Sequence, residues 1–437
     1  VIHDTRSGDR RGGCLAFALV LALATPGAGA AESDATMPQP LAALVAEALT
    51  NNPEVEVALS ELDAASERVS AADALDDPML EFGIVNAPVE SLDMRQEDMT
   101  MKMLGIEQRL PFPGKRDLRR AVAAADAESI GLAVQETFNR IERDVRVAYE
   151  ELALNAEAQR IAVGSRGTLQ QSAGVALSRY AVGSAAQNDV LDAQIEVERL
   201  NAELLRLTGE SAVLQGEMRR LLGRNISSAP IHVASPQLAV HRGVAVDPMN
   251  PAIDNRPQLQ ALQALVERDT SSIDLAQRES YSDFDLKLQY GQRNSAPDGT
   301  GRDDLVSLTV EFNLPIWRKS KVDPQVAEAH AMRRRAQNML QAQRLETQAS
   351  LETQLALVRQ SRATAELYKG SLLPQVRTAV TSALAAYRVG RVDFLSLRQA
   401  QLREFEVSTE LARAVASHNK AIAEIDLLLG RGVAAEQ

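Results

Sequence analysis

The residues best equipped for chemistry are few and poorly arranged for it. His232, His241, His330 and His418 stand at none of the spacings that set two imidazoles, or an imidazole and a carboxylate, on one helix face. His418 also falls on an apolar heptad seam. No phosphate loop or nucleophile elbow occurs. Cys14 is the single cysteine and precedes an apolar run, so disulfides and thiolate metal sites are not expected in the mature chain. Met94, Met99, Met101 and Met103 crowd together, and thioethers are soft ligands that suit Cu(I). Methionines alternating with Thr100 and Lys102 on a strand are more simply a lipid-facing stripe, and no metal site is assigned to them. The chain is read as a non-enzyme without a cofactor.

The elements around these residues explain the poverty of chemistry. Of 437 residues only 3% are aromatic, and the prevalence of Ala, Leu, Gln, Glu and Arg suits long helices. A net charge of −12 argues against a nucleic-acid partner. Arg10 and Arg11, the apolar run Cys14 to Ala24, and Ala28-Gly29-Ala30 have the form of a cleaved export signal over residues 1–30. No later segment is apolar for the ~20 residues of a membrane helix, so a membrane location would rest on strands.

The chain contains itself twice. Asn52-Pro53-Glu54 is matched by Arg256-Pro257-Gln258, and Leu110-Pro111-Phe112-Pro113-Gly114-Lys115 by Leu314-Pro315-Ile316-Trp317-Arg318-Lys319. Tyr180-Ala181-Val182-Gly183 is matched by Tyr387-Arg388-Val389-Gly390. Landmarks in one order define a first repeat over 31–222, a linker over 223–255 rich in Pro, Ser and Gly, a second repeat over 256–430 and a tail over 431–437.

Each repeat is expected to run helix, two strands, very long helix, tight turn, helix. Leu80, Phe82 and Ile84 alternate with polar or small residues. Phe284, Leu286, Leu288 and Tyr290 do the same, as do Val306, Leu308, Val310, Phe312 and Leu314. Polar loops at Asn86–Asp98 and Arg293–Asp304 join the strands as hairpins. A 3.5-residue rhythm runs through Val134, Phe138, Ile141, Val145, Ala148 and Leu152. It returns in Val197 to Leu221 and in Val407 to Leu428, which predicts coiled-coil packing. Gly114 to Ala181 reads as one helix of about 100 Å at 1.5 Å per residue. Leu41 to Ala74 and Asn188 to Leu222 would stack end to end along it, and Gly167 and Pro374 mark kinks.

Four amphipathic strands are too few for a membrane barrel, whose known forms start at about eight. An open sheet leaves unpaired edges in lipid. Closure needs other copies, and three chains would supply twelve strands above an α-helical tube. The fold class is thus mainly α with a small β part: duplicated helical hairpins and four strands that complete a β-barrel in a homotrimer. A periplasmic coiled-coil adaptor or scaffold is the rival of another class, and it would have no use for duplicated membrane strands.

In their duplicated order these motifs resemble the TolC-type outer-membrane efflux channels over nearly the whole mature chain. The resemblance implies an outer-membrane conduit, embedded in lipid and reaching into the periplasm, that meets an inner-membrane pump through a periplasmic adaptor. It places adaptor-contacting tips at Val182, Gly183, Val389 and Gly390. It places a gate pair at Asp189 and Tyr387, with Arg388 and Arg391 close to the family's gate arginine position, here Val392. Asp192 and Asp393, with Asp189, would carry the negative charge of the constriction, where Ser396 and Gln399 replace the family's acidic ring. Helix-start acids of this kind also simply favour the helix dipole. The Leu-Pro-Phe-Pro-Gly-Lys form looks like the heavy-metal branch, for copper and silver or for cobalt, zinc and cadmium. Drug or solvent efflux and protein secretion are the alternatives.

Overall fold

The computed structural model describes residues 38–239 and 251–432, which lie in one compact unit. The expected signal, His241, part of the linker and most of the tail lie outside the described residues. The order is α1 (Leu41–Asn51), α2 (Pro53–Ala72), β1 (Met79–Val85), β2 (Met101–Leu110), α3 (Lys115–Ala181) and α4 (Gln187–Leu221). A 3-10 turn (Pro251–Asn255) then leads into α5 (Pro257–Arg278), β3 (Phe284–Arg293), β4 (Leu305–Phe312) and α6 (Arg318–Leu367). A π-helical turn (Tyr368–Leu372), α7 (Leu373–Arg388) and α8 (Phe394–Leu428) complete it. None of the described helices is long and apolar enough to cross a membrane.

The first helix, expected as one piece, is two. Pro53 has no N–H to donate and holds Asn52 extended (ψ 124°), which breaks the ladder. Asn52 then serves both sides of the break. Its Oδ1 accepts from the Glu54 N–H at 2.8 Å, capping α2, and its Nδ2 donates to the Leu221 carbonyl at 2.9 Å. The second repeat breaks at Arg256-Pro257, where the Arg256 guanidinium reaches Glu136 at 2.6 Å and Thr347 at 3.1 Å. Both breaks dock on the end of a returning helix, and both of those helices end Leu-Leu-Gly-Arg. Gly223 (φ 66°) and Gly430 (φ 64°) turn left-handed there, and a Cβ on Gly223 would stand 2.3 Å from the Asn51 carbonyl oxygen.

The heptad residues form the seams. Ile141, Val145, Ala148 and Leu152 of α3 are buried with Leu44, Val45, Met218 and Leu221, and Val134 is buried further along α3. In the second repeat Leu351, Ile425 and Leu428 form the matching core. His418 is buried on this seam, with Nδ1 3.3 Å from the Val358 carbonyl oxygen. Gly167 produces no break, and α3 runs unbroken for 67 residues. Its counterpart is interrupted just before Pro374, where the Leu373 N–H bonds the Tyr368 carbonyl in a π turn.

The four strands form one antiparallel sheet in the order β1-β2-β3-β4, so β1 and β4 are open edges. Leu80, Ile106, Leu288 and Leu308 lie in one cross-strand row, and Phe82, Leu104, Tyr290 and Val306 in the next. This apolar face is bare in a single chain, with Phe82 80% and Leu308 68% exposed. The opposite face carries Glu81, Glu107, Lys287 and Gln289, and Lys287 bonds Glu81 at 2.6 Å. Leu314 falls beyond β4, and Met99 lies in the turn before β2. The pairing also overturns the lipid-facing reading of the methionines: Met103 pairs with Gly83 and Gly291, and Met101 with Val85 and Arg293, all on the polar face. Lys102 is the residue that shares the apolar side.

The strand-to-helix junction shows what the Leu-Pro-Phe-Pro-Gly-Lys segment does. Gly114 (φ 88°) turns the chain from β2 into α3. Buried Lys115 bonds Asp283 at 2.8 Å and Glu279 at 2.9 Å, tying the first repeat to the second. Phe112 stacks on Tyr281 at 4.7 Å between ring centres, with the Arg278 guanidinium 5.6 Å from the Tyr281 ring.

Candidate channel gate

The two Tyr-x-Val-Gly turns lie far along the helices from the sheet, and they share one backbone solution. Gly183 (φ 70°) and Gly390 (φ 75°) occupy the left-handed position that ends a helix. In the first, the Ser184 N–H bonds the Arg179 carbonyl at 2.8 Å. In the second, the Arg391 N–H bonds the Ala386 carbonyl at 2.9 Å. The turns expose Val182 and Val389 at 77% and 68%.

The surroundings differ. Tyr387 is fully buried in a cluster of Ala176, Val190, Ala193, Phe394 and Leu397, with its ring edge-on to Phe394 at 5.7 Å. The Arg179 guanidinium lies 4.6 Å from the centre of the Tyr387 ring. It also donates to the Tyr387 carbonyl at 2.7 Å and the Ser184 carbonyl at 2.8 Å. The Tyr387 hydroxyl donates to Asp189 Oδ2 at 3.3 Å. Burial, reinforced by the negative charge of Asp189, pushes the Tyr387 phenol up to about 12, so it stays a neutral donor. These groups offer no nucleophile or proton shuttle. They can hold one helical hairpin against the other, through a charge-assisted hydrogen bond of about 1.5 kcal/mol and a cation–π contact of about 1–2 kcal/mol.

The structure therefore brings Asp189 and Tyr387 together and leaves the other expected residues apart. Arg388 and Arg391 are exposed and Asp192 half-exposed, and among the described residues no side chain of the three has a hydrogen-bond or ion-pair partner. Asp393 caps α8, accepting from the Ser396 N–H at 2.9 Å. Sequence reasoning missed Arg179, whose counterpart in the second repeat is Ala386. It also missed Glu196, 3% exposed, which bonds Arg398 of α8 at 3.3 Å, and the buried Ser172–Gln401 bond at 2.8 Å. A comparison of the repeats for charges present in only one would have flagged Arg179. No group of three or more His, Cys, Asp or Glu among the described residues could hold a metal ion.

A sheet apolar on one side and polar on the other, open at both edges and joined to paired coiled coils, defines a β-barrel and α-barrel channel subunit. The chain belongs to the outer membrane efflux protein family, which it matches over residues 44–224 and again over 249–431. It is an outer-membrane channel subunit of efflux systems, with its helices in the periplasm. It is 24% identical over 442 residues, 95% of this chain and 99% of the other, to the cobalt-zinc-cadmium resistance protein CzcC of Cupriavidus metallidurans. The fold is similar to the outer-membrane channel OprN (TM-score 0.77, 19% identity, 90% of each chain). It is also similar to CusC (TM-score 0.76, 14% identity, 91% of this chain and 94% of that one).

Proposed function

We propose that this chain is one of three identical subunits of a passive conduit that discharges heavy-metal cations received from a periplasmic adaptor and an inner-membrane pump. The observation that carries the conduit is the pair of open edges on a sheet whose apolar face is bare. Pairing β1 of one chain with β4 of the next removes every edge and puts the apolar face in lipid, and three chains close twelve strands. Heavy metal as cargo is supported by likeness to a cobalt-zinc-cadmium resistance protein over essentially its full length.

In this reading Asp189, Tyr387 and Arg179 form the latch that keeps the periplasmic end shut. Val182-Gly183 and Val389-Gly390 are the tips an adaptor engages. Free Arg388 and Arg391 supply charge that an adaptor or a neighbouring subunit can pair. Opening follows when adaptor contacts at the tips replace the latch. Deleting the gene should sensitise its host to cobalt, zinc or cadmium, and the intact gene should restore resistance. Sensitivity confined to dyes and detergents would instead mark a drug conduit, and a monomer recovered from the soluble periplasm would sink the channel reading.

A further inference from the structure

The register of the sheet gives the clustered methionines a place that their spacing did not suggest. Across the polar face at the hairpin-loop end runs the row Gly83–Met103–Gly291–Leu305, with Met101 one row nearer the loops. Two of Met103's row neighbours are glycines, so no side chain from β1 or β3 shields it. A Cβ placed on Gly291 would lie 2.3 Å from the Met101 sulfur, so that thioether rests on the bare backbone of Gly291. Gly291 stands directly across from Met103, and opposed residues place their Cβ positions about 5 Å apart. The Met101 sulfur therefore lies within reach of the Met103 side chain.

The electrostatics there are permissive. Arg293 pairs with Met101 in the register, yet its guanidinium turns to the loop carbonyls of Asp303, at 2.5 Å, and Asp98, at 3.4 Å. The nearest carboxylate of this face, Glu81, stands one row away and is held by Lys287 at 2.6 Å, and Glu107, a row further, lies 3.8 Å from the same ammonium. Asp304 at the mouth is likewise engaged, accepting from the Arg293 N–H at 3.0 Å, and the donors the two methionines offer are thioether sulfurs, which favour soft monovalent cations over Zn(II).

We propose that Met101 and Met103 form a two-thioether contact for Cu(I) or Ag(I) on the lumen side of the barrel near its outer mouth. The lumen placement rests on the conduit reading, whereas the proximity of the two side chains does not. A pair of neutral ligands holds such an ion weakly and releases it readily, which suits a surface that ions pass.

Silver is the redox-inert probe. The full-length protein in detergent and chloride-free buffer is treated with dilute hydrogen peroxide, with and without silver nitrate, and methionine sulfoxide is read peptide by peptide. With silver at about ten times its dissociation constant, oxidation of Met101 and Met103 should slow about tenfold. Met332 and Met339, 43% and 42% exposed on α6, should be unaffected, and zinc should protect neither pair. Gly291→Ala, which retains both methionines, should reduce the protection by displacing the Met101 sulfur. Equal protection by zinc, no protection by silver, or methionines that peroxide never reaches would overturn the contact. A heat-labile trimer band on the same sample reports barrel closure separately. Its absence would sink the conduit, while silver protection would still support the contact.

Discussion

The two Tyr-x-Val-Gly turns are built on the same backbone and sit in different surroundings. Both end a helix through a left-handed glycine and the same pair of carbonyl bonds. Tyr180 is 45% exposed beside a neutral turn, whereas its counterpart Tyr387 is fully buried under a guanidinium and against a carboxylate. The position equivalent to Arg179 is Ala386, and that equivalent to Asp189 is Ser396. Both partners thus come from the first repeat and act on the tyrosine of the second. Duplication supplied the frame, and divergence of single residues buried the tyrosine of one turn under groups of the other repeat, the arrangement proposed above as a latch.

That contrast can be broken at its strongest point first. Arg179→Ala removes the cation over the Tyr387 ring and the guanidinium bonds to the Tyr387 and Ser184 carbonyls, the first of which keeps the Gly390 N–H, a loss of about 2–3 kcal/mol. Conductance of the trimer in planar bilayers should rise severalfold, and an unchanged closed level would refute the latch. Tyr387→Phe keeps the ring and loses only the hydroxyl, so its effect should be smaller, about 1–1.5 kcal/mol. In a double-mutant cycle with Asp189→Asn the two effects should be less than additive, whereas strict additivity would mean the two groups are not coupled.

Protonation sharpens the same contrast. The Tyr387 phenol is raised relative to an unfolded tyrosine near 10, so its contribution is complete below about pH 10 and lost as pH rises through about 12. Closed-state conductance should therefore not report tyrosine ionisation anywhere near neutrality. Asp393 behaves oppositely. Hydrogen bonds from the Ser396 side chain and backbone hold its carboxyl below the usual range. Its cap is present above about pH 4 and is lost as pH falls through its folded value. Asp393→Ala should lower the melting temperature slightly at neutral pH, leave conductance unchanged, and lose even that difference in strong acid. Tyr180→Phe should do least of all, and a gating change as large as that of Tyr387→Phe would abolish the asymmetry.

Much of the frame was legible because its signals recur: motifs repeated in order, apolar residues at period two in Phe284 to Tyr290, and heptads from Val134 to Leu152. Failures came where one residue serves two masters. Asn52-Pro53 breaks a helix that its flanking apolar pattern carries straight through. Around Met101 the strand is apolar on both sides, with Lys102 on the face of Leu104 and Ile106, so alternation alone cannot say which side faces lipid. Only pairing with Gly83 and Gly291 decides it. At the proposed latch, Asp189 and Tyr387 were recognisable from the family resemblance, Tyr387 opening its turn motif and Asp189 following the other. Arg179 was not, because a lone arginine late in a helix is ordinarily a favourable charge at the negative end of the dipole.

The pairing of β2 with β3 joins strands from different repeats, with the whole first helical hairpin intervening between Leu110 and Phe284. Contacts so distant in sequence form late, while α3 and α4 meet close along the chain near the turn that joins them. During biogenesis the coiled coils should mature first, and the lipid-seeking face would then assemble last, when sister chains are already at hand to cover its edges. A newly exported chain would thus spend its vulnerable interval as a helical intermediate with an unfinished sheet, the stage at which periplasmic chaperones would have to protect it.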